Sequence, residues 1–513
     1  MVLSRRSFLT GASALLATPY ISKQCLGREA GAALPIPPLV DLKSGAETLE
    51  AVAGQSSILG GAKTPTLGFS QPYLGPTLRV SRGSVARPRV VNRLSEPVTS
   101  HWHGLHVPAI VDGGPKLEIL PGNTWDPELP IDQPACTAWY HSHVHNRTAQ
   151  QVYKGLAGMI IVDDPNAPDP GLPNTYGIDD LPLVIQDRAF GTDGSLTYSS
   201  HHHFTMHGFR ADTILVNGAI RPSAPVPAGL VRLRLLNGSN ARIYHLRFAD
   251  DRTFHQVASD GGLLPRPVAL TRLRLAPGER AEIVVNFAKG GAVSLLSGPD
   301  RNSMMGMGRM GGMMGGASSP PQAEGGSDGE FEVMRFVADA GKTAAIKTLP
   351  DTFAGAPKPA LGEPVRRRHI SLDMGMGMGG GMGRRGGMMG GGPMRGGGRR
   401  GGMMGGLAIN GQSFDIDRVD LELKRGETEL WEITTNMMAH PFHVHAASFQ
   451  VVSQNGKPVD YATTGLKDVV LVDDRAEILL RIDHPADKAV PFLYHCHILE
   501  HEDGGMMGQF TVS

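Results

Sequence analysis

The chain has 513 residues, which at roughly 150 residues per domain leaves room for about three domains. Lys plus Arg and Asp plus Glu are each 49, so the formal net charge is zero, which excludes attachment to nucleic acid or an acidic lipid surface by bulk electrostatics. Glycine, at 67 residues, is about twice its ordinary share, the apolar fraction of 41% still suffices for sizeable cores, and three cysteines cannot make a disulfide framework.

The first segment in chain order is a leader. Ser4-Arg5-Arg6-Ser7-Phe8-Leu9 precedes an apolar, small-residue run that ends at Ala17 and is too short to span a bilayer. The paired arginines resemble the twin-arginine signal through which the Tat export machinery delivers folded proteins to the bacterial periplasm. The leader is assigned to residues 1–34, with cleavage between 22 and 34, and it contains Cys25.

Beyond it, short β-rich runs at 77–80, 87–92, 158–162, 181–186, 231–236, 282–287, 429–434 and 477–482 alternate with Gly, Pro, Asn and Asp. That spacing predicts an all-β chain of sandwiches. A weak repeat supports three of them: Leu74-Gly75-Pro76-Thr77, Asn217-Gly218-Ala219-Ile220 and Ile409-Asn410-Gly411-Gln412 precede strand-like runs that end at Asn92, Asn237 and Asn436. The first and third runs lead into histidine clusters, and the second leads into Ser239-Asn240-Ala241-Arg242. The expected domains are 35–168, 169–345 and 346–513, the middle one without metal loops.

Two Met- and Gly-rich segments, 304–314 and 374–404, hold 15 of the 23 methionines and have no hydrophobic periodicity, so neither can pack as a core element. The second also carries Arg384, Arg385, Arg395, Arg399 and Arg400. Thioethers are soft ligands that favour Cu(I); the alternative is a spacer whose methionines absorb oxidant. Without aromatics to stack on bases, the Gly-Arg stretch is not read as a nucleic-acid site. His201-His202-His203-Phe204-Thr205-Met206-His207 reads as an exposed loop, Cys136 as a small buried hydrophobe, and His145 as a neighbour of the metal site rather than a ligand.

Four motifs dominate: His101-Trp102-His103-Gly104, His141-Ser142-His143, His440-Pro441-Phe442-His443-Val444-His445 and His495-Cys496-His497. In a strand, residues i and i+2 point to one face about 7 Å apart. Four His-x-His pairs therefore send eight imidazoles (His101, His103, His141, His143, His443, His445, His495 and His497) toward one cavity, enough for three metal ions. Cys496, between two of them, points the other way, where His440, His501 and Met506 complete a set of two imidazoles, a thiolate and a thioether. That is the blue-copper electron-transfer set. Cys496 would then pass electrons to the cluster through His495 and His497. A closed structural zinc site needs four ligands and no redox partner, so zinc fits poorly.

At these residues the chain resembles the three-domain multicopper oxidases, among them laccases and the periplasmic copper-efflux oxidases. The shared features are the twin-arginine leader, Val111-Asp112-Gly113-Gly114-Pro115, Ser259-Asp260-Gly261-Gly262-Leu263-Leu264-Pro265, and His495 through Met507. The resemblance implies cupredoxin-like Greek-key domains and four copper ions. Type 1 copper falls to His440, Cys496, His501 and Met506, type 2 to His101 and His443, and the type 3 pair to His103, His141, His143, His445, His495 and His497. It also implies that Asp112 and Glu502 relay protons for reduction of O2 to water, with Asp503 a weaker candidate. A substrate-copper site would use Met438, Asp373, Met374 and Met376, but Asn436 stands where the family has a carboxylate.

The resulting expectation is a monomeric periplasmic oxidase of Cu(I), serving copper tolerance, with O2 as acceptor. Its rivals are a laccase acting on phenols and aromatic amines, and a copper-free structural relative. A two-domain nitrite reductase is excluded by length and by the four His-x-His pairs.

Overall fold

Alternation of inward and outward side chains builds the sheets. In the strand Arg475–Arg481, Ala476, Ile478 and Leu480 are buried and the residues between them are partly exposed; Phe449–Gln454 alternates in the same way. The structure, a computed structural model, describes residues 31–42, 45–200, 202–300, 329–358, 361–375, 406–435 and 437–513. The leader ahead of residue 31 with Cys25, the segment 304–314, the second Met-rich segment beyond Gly375 (Met376 included), His201 and Asn436 lie outside the described residues. Ala32 and Leu34, inside the span assigned to the leader, hydrogen-bond with Ser223, so the end of that span belongs to the folded chain.

The chain is all-β, and the described residues form six sheets that pair into three sandwiches of cupredoxin-like Greek-key type. The first spans 39–163 and joins a sheet ordered Leu39–Asp41, Thr77–Ser81, Ala157–Asp163, Cys136–His141 to one built on Ala46–Ser56 and Val85–Asn92. The second spans 180–339, with Leu230–Asn237 and Arg280–Asn286 at the centre of its larger sheet, and the third spans 366–512. Each encloses its own apolar core. All eight runs expected to be strands fall on strands, with Phe287 and Ile482 just past the ends. No helix among the described residues is long and apolar enough to cross a membrane.

The repeat has a physical basis. Leu74, Asn217 and Asn410 all take positive φ at the turns. Asn217 and Asn410 each accept, through Oδ1, a backbone N–H of a neighbouring strand, from Val184 at 2.8 Å and Ser371 at 2.7 Å. Asn92 and Asn237, ending equivalent strands, each accept from the N–H two residues on and donate Nδ2 to two carbonyls.

The strands that carry the histidine motifs lack this alternation. Cys136–His141, His440–Val444 and Phe492–Cys496 are buried throughout. One face of each meets its own core, and the other is covered where the first and third sandwiches meet.

Candidate metal centres

The His-x-His pairs were expected to lie within strands. Instead each straddles a strand end or lies outside strands. His141, His443 and His495 sit on strands, and His143, His445 and His497 lie just past the ends. His101 pairs with His141 through a single bridge, and His443 stands directly across from His495. The strand register thus fixes one imidazole of each pair, and the exit of the chain swings the other toward the same cavity.

There the eight imidazoles meet. His143, His445 and His495 bring their Nε2 atoms together, with His495 Nε2 3.4 Å from that of His143 and 3.3 Å from that of His445. His103, His141 and His497 form a second group, with ring centres 5.0 to 5.7 Å apart. His101 and His443, 6.0 Å apart, lie between the groups. Ring nitrogens of His101, His103, His141, His443 and His497 are buried without a hydrogen-bond partner. Buried unpaired polar atoms cost about 1–3 kcal/mol each, so a cluster of them facing one cavity fits a metal-ligand set.

The opposite nitrogens are held in place. Nδ1 of His101, His141, His443 and His495 donates to the backbone carbonyls of Asp112, Ser142, Asp468 and Cys496 at 2.8 to 3.1 Å. Nδ1 of His445 lies 2.7 Å from Asp112 Oδ2. His103 is reversed: Nε2 meets Asp468 Oδ1 at 3.1 Å and Nδ1 is the unpaired nitrogen. Such outer hydrogen bonds fix the tautomer and aim the ligating lone pair. Burial first, and then the neighbouring imidazoles, hold His103, His141, His143, His443, His445 and His497 well below the usual histidine range, so all six are neutral and able to ligate.

Both expected acids touch this cluster. Asp112 contacts His445 and His101. Glu502 approaches Nδ1 of His143 and of His495, each at 3.3 Å. Burial pushes the Glu502 carboxyl up, and the charge of Asp503 adds to that. Asp503 accepts from the N–H groups of Thr148 and Ala149 and is also pushed up by burial.

On the far side of the strand Phe492–Cys496, the Cys496 sulfur lies 3.3 Å from His440 Nδ1 and 3.5 Å from His501 Nδ1, and the two nitrogens are 3.2 Å apart. Ile498 N–H donates to the sulfur, and Met506 is fully buried in the core that holds Cys496, its carbonyl accepting from the cysteine N–H. This donor set suits copper.

Other expectations fare differently. Met374 and Met438 are packed in the third core, and Asp373 Oδ2 accepts from Ser371 and from Gly411 N–H. Residues 202–207 form a helix rather than a loop, and Met206 O accepts from His501 Nε2. Cys136 is buried, and His145 meets Phe414 edge to face outside the cluster. Asp468 and Arg280 beneath the cluster were not foreseen. Their contact spans 188 positions and has no local motif; the Asp260 motif was the one sequence signal pointing there.

The multicopper oxidase family profiles match residues 50–167 and 393–513. A structure of a bacterial laccase-like multicopper oxidase, CueO from Ochrobactrum sp., with oxidase activity toward lignin model compounds and lignosulfonate, superimposes at TM-score 0.79 and 39% identity, covering 94% of this chain and all of that one. Full-length relatives from Xenorhabdus nematophila and Rahnella sp. are 35% and 36% identical over 100% of this chain and 99% of their own length, and both are named Cell division protein FtsP. Those relatives overturn the expectation of a Cu(I) oxidase for copper tolerance: chains that match end to end are named for cell division, and the resemblance to copper-efflux oxidases narrows to shared ancestry and fold. By the sum of profile, fold and full-length similarity, the chain belongs to the multicopper oxidase family.

Proposed function

We propose that this chain serves in cell division in the bacterial periplasm, exported through its twin-arginine leader, and that it carries copper there. The end-to-end similarity to proteins named for cell division carries the first half. The unpaired imidazole nitrogens and the His440–Cys496–His501 group support the second. The relatives' names favour the structural rival over the Cu(I) oxidase, and the unpaired nitrogens are the ground for giving such a protein a metal.

Copper at these residues would supply one-electron transfer beside Cys496 and oxygen chemistry at the imidazole cluster. The chain's own part is to exclude water, fix the tautomers through Asp112, Asp468 and four backbone carbonyls, and hold a proton on the raised Glu502 carboxyl next to His143 and His495. A second reading, an oxidase of phenols or aromatic amines, is favoured by a cleft of about 510 Å³ lined by Tyr198, Thr205, Glu500 and Asp503; that volume suits a small organic ligand.

Deletion of the gene, complemented by wild type, Cys496→Ser or His101→Ala/His443→Ala, tests both readings. We expect a division defect that wild type repairs and the two ligand variants do not. Repair by all three would make copper dispensable. A normal division phenotype, with fast oxygen uptake by the copper-loaded protein on a substituted phenol, would favour the oxidase instead.

A further inference from the structure

The middle sandwich gives no histidine to the imidazole cluster, yet one of its side chains ends under it. Arg280 opens the strand Arg280–Asn286 and is fully buried. Its guanidinium grips Asp468 of the third sandwich with two nitrogens, Nη1 to Oδ1 at 2.6 Å and Nη2 to Oδ2 at 2.5 Å. The remaining donors are used as well: Nε donates to Thr137 O of the first sandwich, and Nη1 and Nη2 donate to Gly278 O and Asp260 O. All three sandwiches meet on this one side chain.

Asp468 in turn meets the cluster twice. Its Oδ1 lies 3.1 Å from His103 Nε2, and its carbonyl accepts from His443 Nδ1 at 2.8 Å. Asp260 holds the platform from behind, accepting from Arg280 N–H at 2.7 Å, from the N–H groups of Asp468 and Val469 at 3.3 Å, and from Lys467 Nζ at 3.0 Å. Gly104, which follows the first His-x-His pair, has φ +89°, and a Cβ there would fall 2.5 Å from Arg280 Nη2 and 2.9 Å from Asp468 Oδ2. The glycine of the first copper motif is thus required by the ion pair packed against it.

We infer that Arg280 is a positioning residue through which the middle sandwich sets His103 and His443 for copper. The inference rests on the reading that the eight-imidazole cavity holds copper. A carboxylate buried this deeply needs a charge partner and filled hydrogen bonds. Arg280 supplies both, in a fork that fixes the carboxylate plane. Asp468 then takes the Nε2 proton of His103 in hydrogen bond and leaves Nδ1 as the ligating nitrogen, the reverse of its neighbours. Without the guanidinium, the carboxylate loses both its charge partner and its orientation, and His103 is free to turn.

The test uses full-length protein, loaded with copper and then dialysed against a chelator. Copper content is read by mass spectrometry, the cavity by the electron paramagnetic resonance signal of type 2 copper, and the Cys496 site by its blue absorption. Arg280→Met is expected to retain cavity copper about 10- to 100-fold less tightly, the range for loss of an outer-shell partner, with an altered type 2 signal and the blue band intact. Arg280→Lys, which keeps charge but not the fork, is expected to fall between. If Arg280→Met does not fold, Arg280→Met/Asp468→Leu removes both charges together; a folded, blue double variant without cavity copper supports the inference. Wild-type copper content and an unchanged type 2 signal in whichever of these variants folds would overturn it. Wild-type protein that turns blue but takes no cavity copper would overturn the cavity reading itself, and the inference with it.

Discussion

The imidazole of His445 hydrogen-bonds through Nδ1 to Asp112 Oδ2 at 2.7 Å, across 333 positions of sequence and between the first and third sandwiches. The bond turns Nε2 toward His495, 3.3 Å away, so the acid of one sandwich aims a ligand of the other. Asp112→Asn keeps the shape and removes the charge. The expected result is a folded protein whose cavity copper is about tenfold easier to strip, measured by chelator competition. An unchanged competition curve would show that the carboxylate does not orient His445.

Cys496 gives a second prediction. Burial pushes its thiol up, so copper must displace a proton that the fold holds firmly, and loading of this site should speed up with rising pH. Cys496→Ser should lose the blue band while keeping most of the fold and the cavity copper. A blue band in the variant would sink the assignment of this site, and loading that is indifferent to pH would show that the thiol proton is already gone.

The grouping of the histidines and Cys496 was legible because its signal is local. His-x-His spacing, and a cysteine between two histidines, are signals carried by three consecutive residues, although the strands stop short of His143, His445 and His497. The all-β character was legible for the same reason, since residues such as Ala476, Ile478 and Leu480 alternate with partly exposed neighbours over a single strand. Asp468 was not, because no local motif marks it and its partner Arg280 is brought to it from another sandwich. Function was the least legible. The ligand motifs describe what the core can bind, and chains named for cell division and a laccase-like oxidase alike match nearly all of this one.

Gly104 offers a stability test with an internal control. Gly83 has nearly the same backbone, φ +82°, but nothing lies within 4 Å of where its Cβ would be. Gly83→Ala should therefore show backbone strain alone, about 1–2 kcal/mol. Gly104→Ala adds a collision with the Arg280–Asp468 pair, so thermal unfolding should show a clearly larger loss, accompanied by loss of cavity copper. Equal losses at the two sites would mean that the ion pair moves aside at little cost.

Glu282 carries the pH prediction. It is buried between the first and middle sandwiches, where Thr137 donates to Oε1 at 2.6 Å, Arg234 at 3.0 Å, and Arg232 Nε donates to Oε2 at 2.7 Å. Burial pushes its carboxyl up, but Arg232 and Arg234 outweigh this and hold it at about 2, against an ordinary value of 4.5. The folded value lies below the unfolded one, so the charged form stabilises the fold. That contribution is complete above about pH 4.5 and is lost as pH falls toward 2, to a total of about 3 kcal/mol. Glu282→Gln should be less stable at neutral pH, because the half-buried Arg232 loses its carboxylate and the buried Arg234 is left with Asp180 alone. In urea unfolding at successive pH values, the gap between wild type and variant should narrow across that acid window, a comparison that cancels titration of the histidines common to both. A gap that stays constant from neutral pH to acid would show that Glu282 is already protonated in the fold, and that Arg232 and Arg234 draw their stability from other partners.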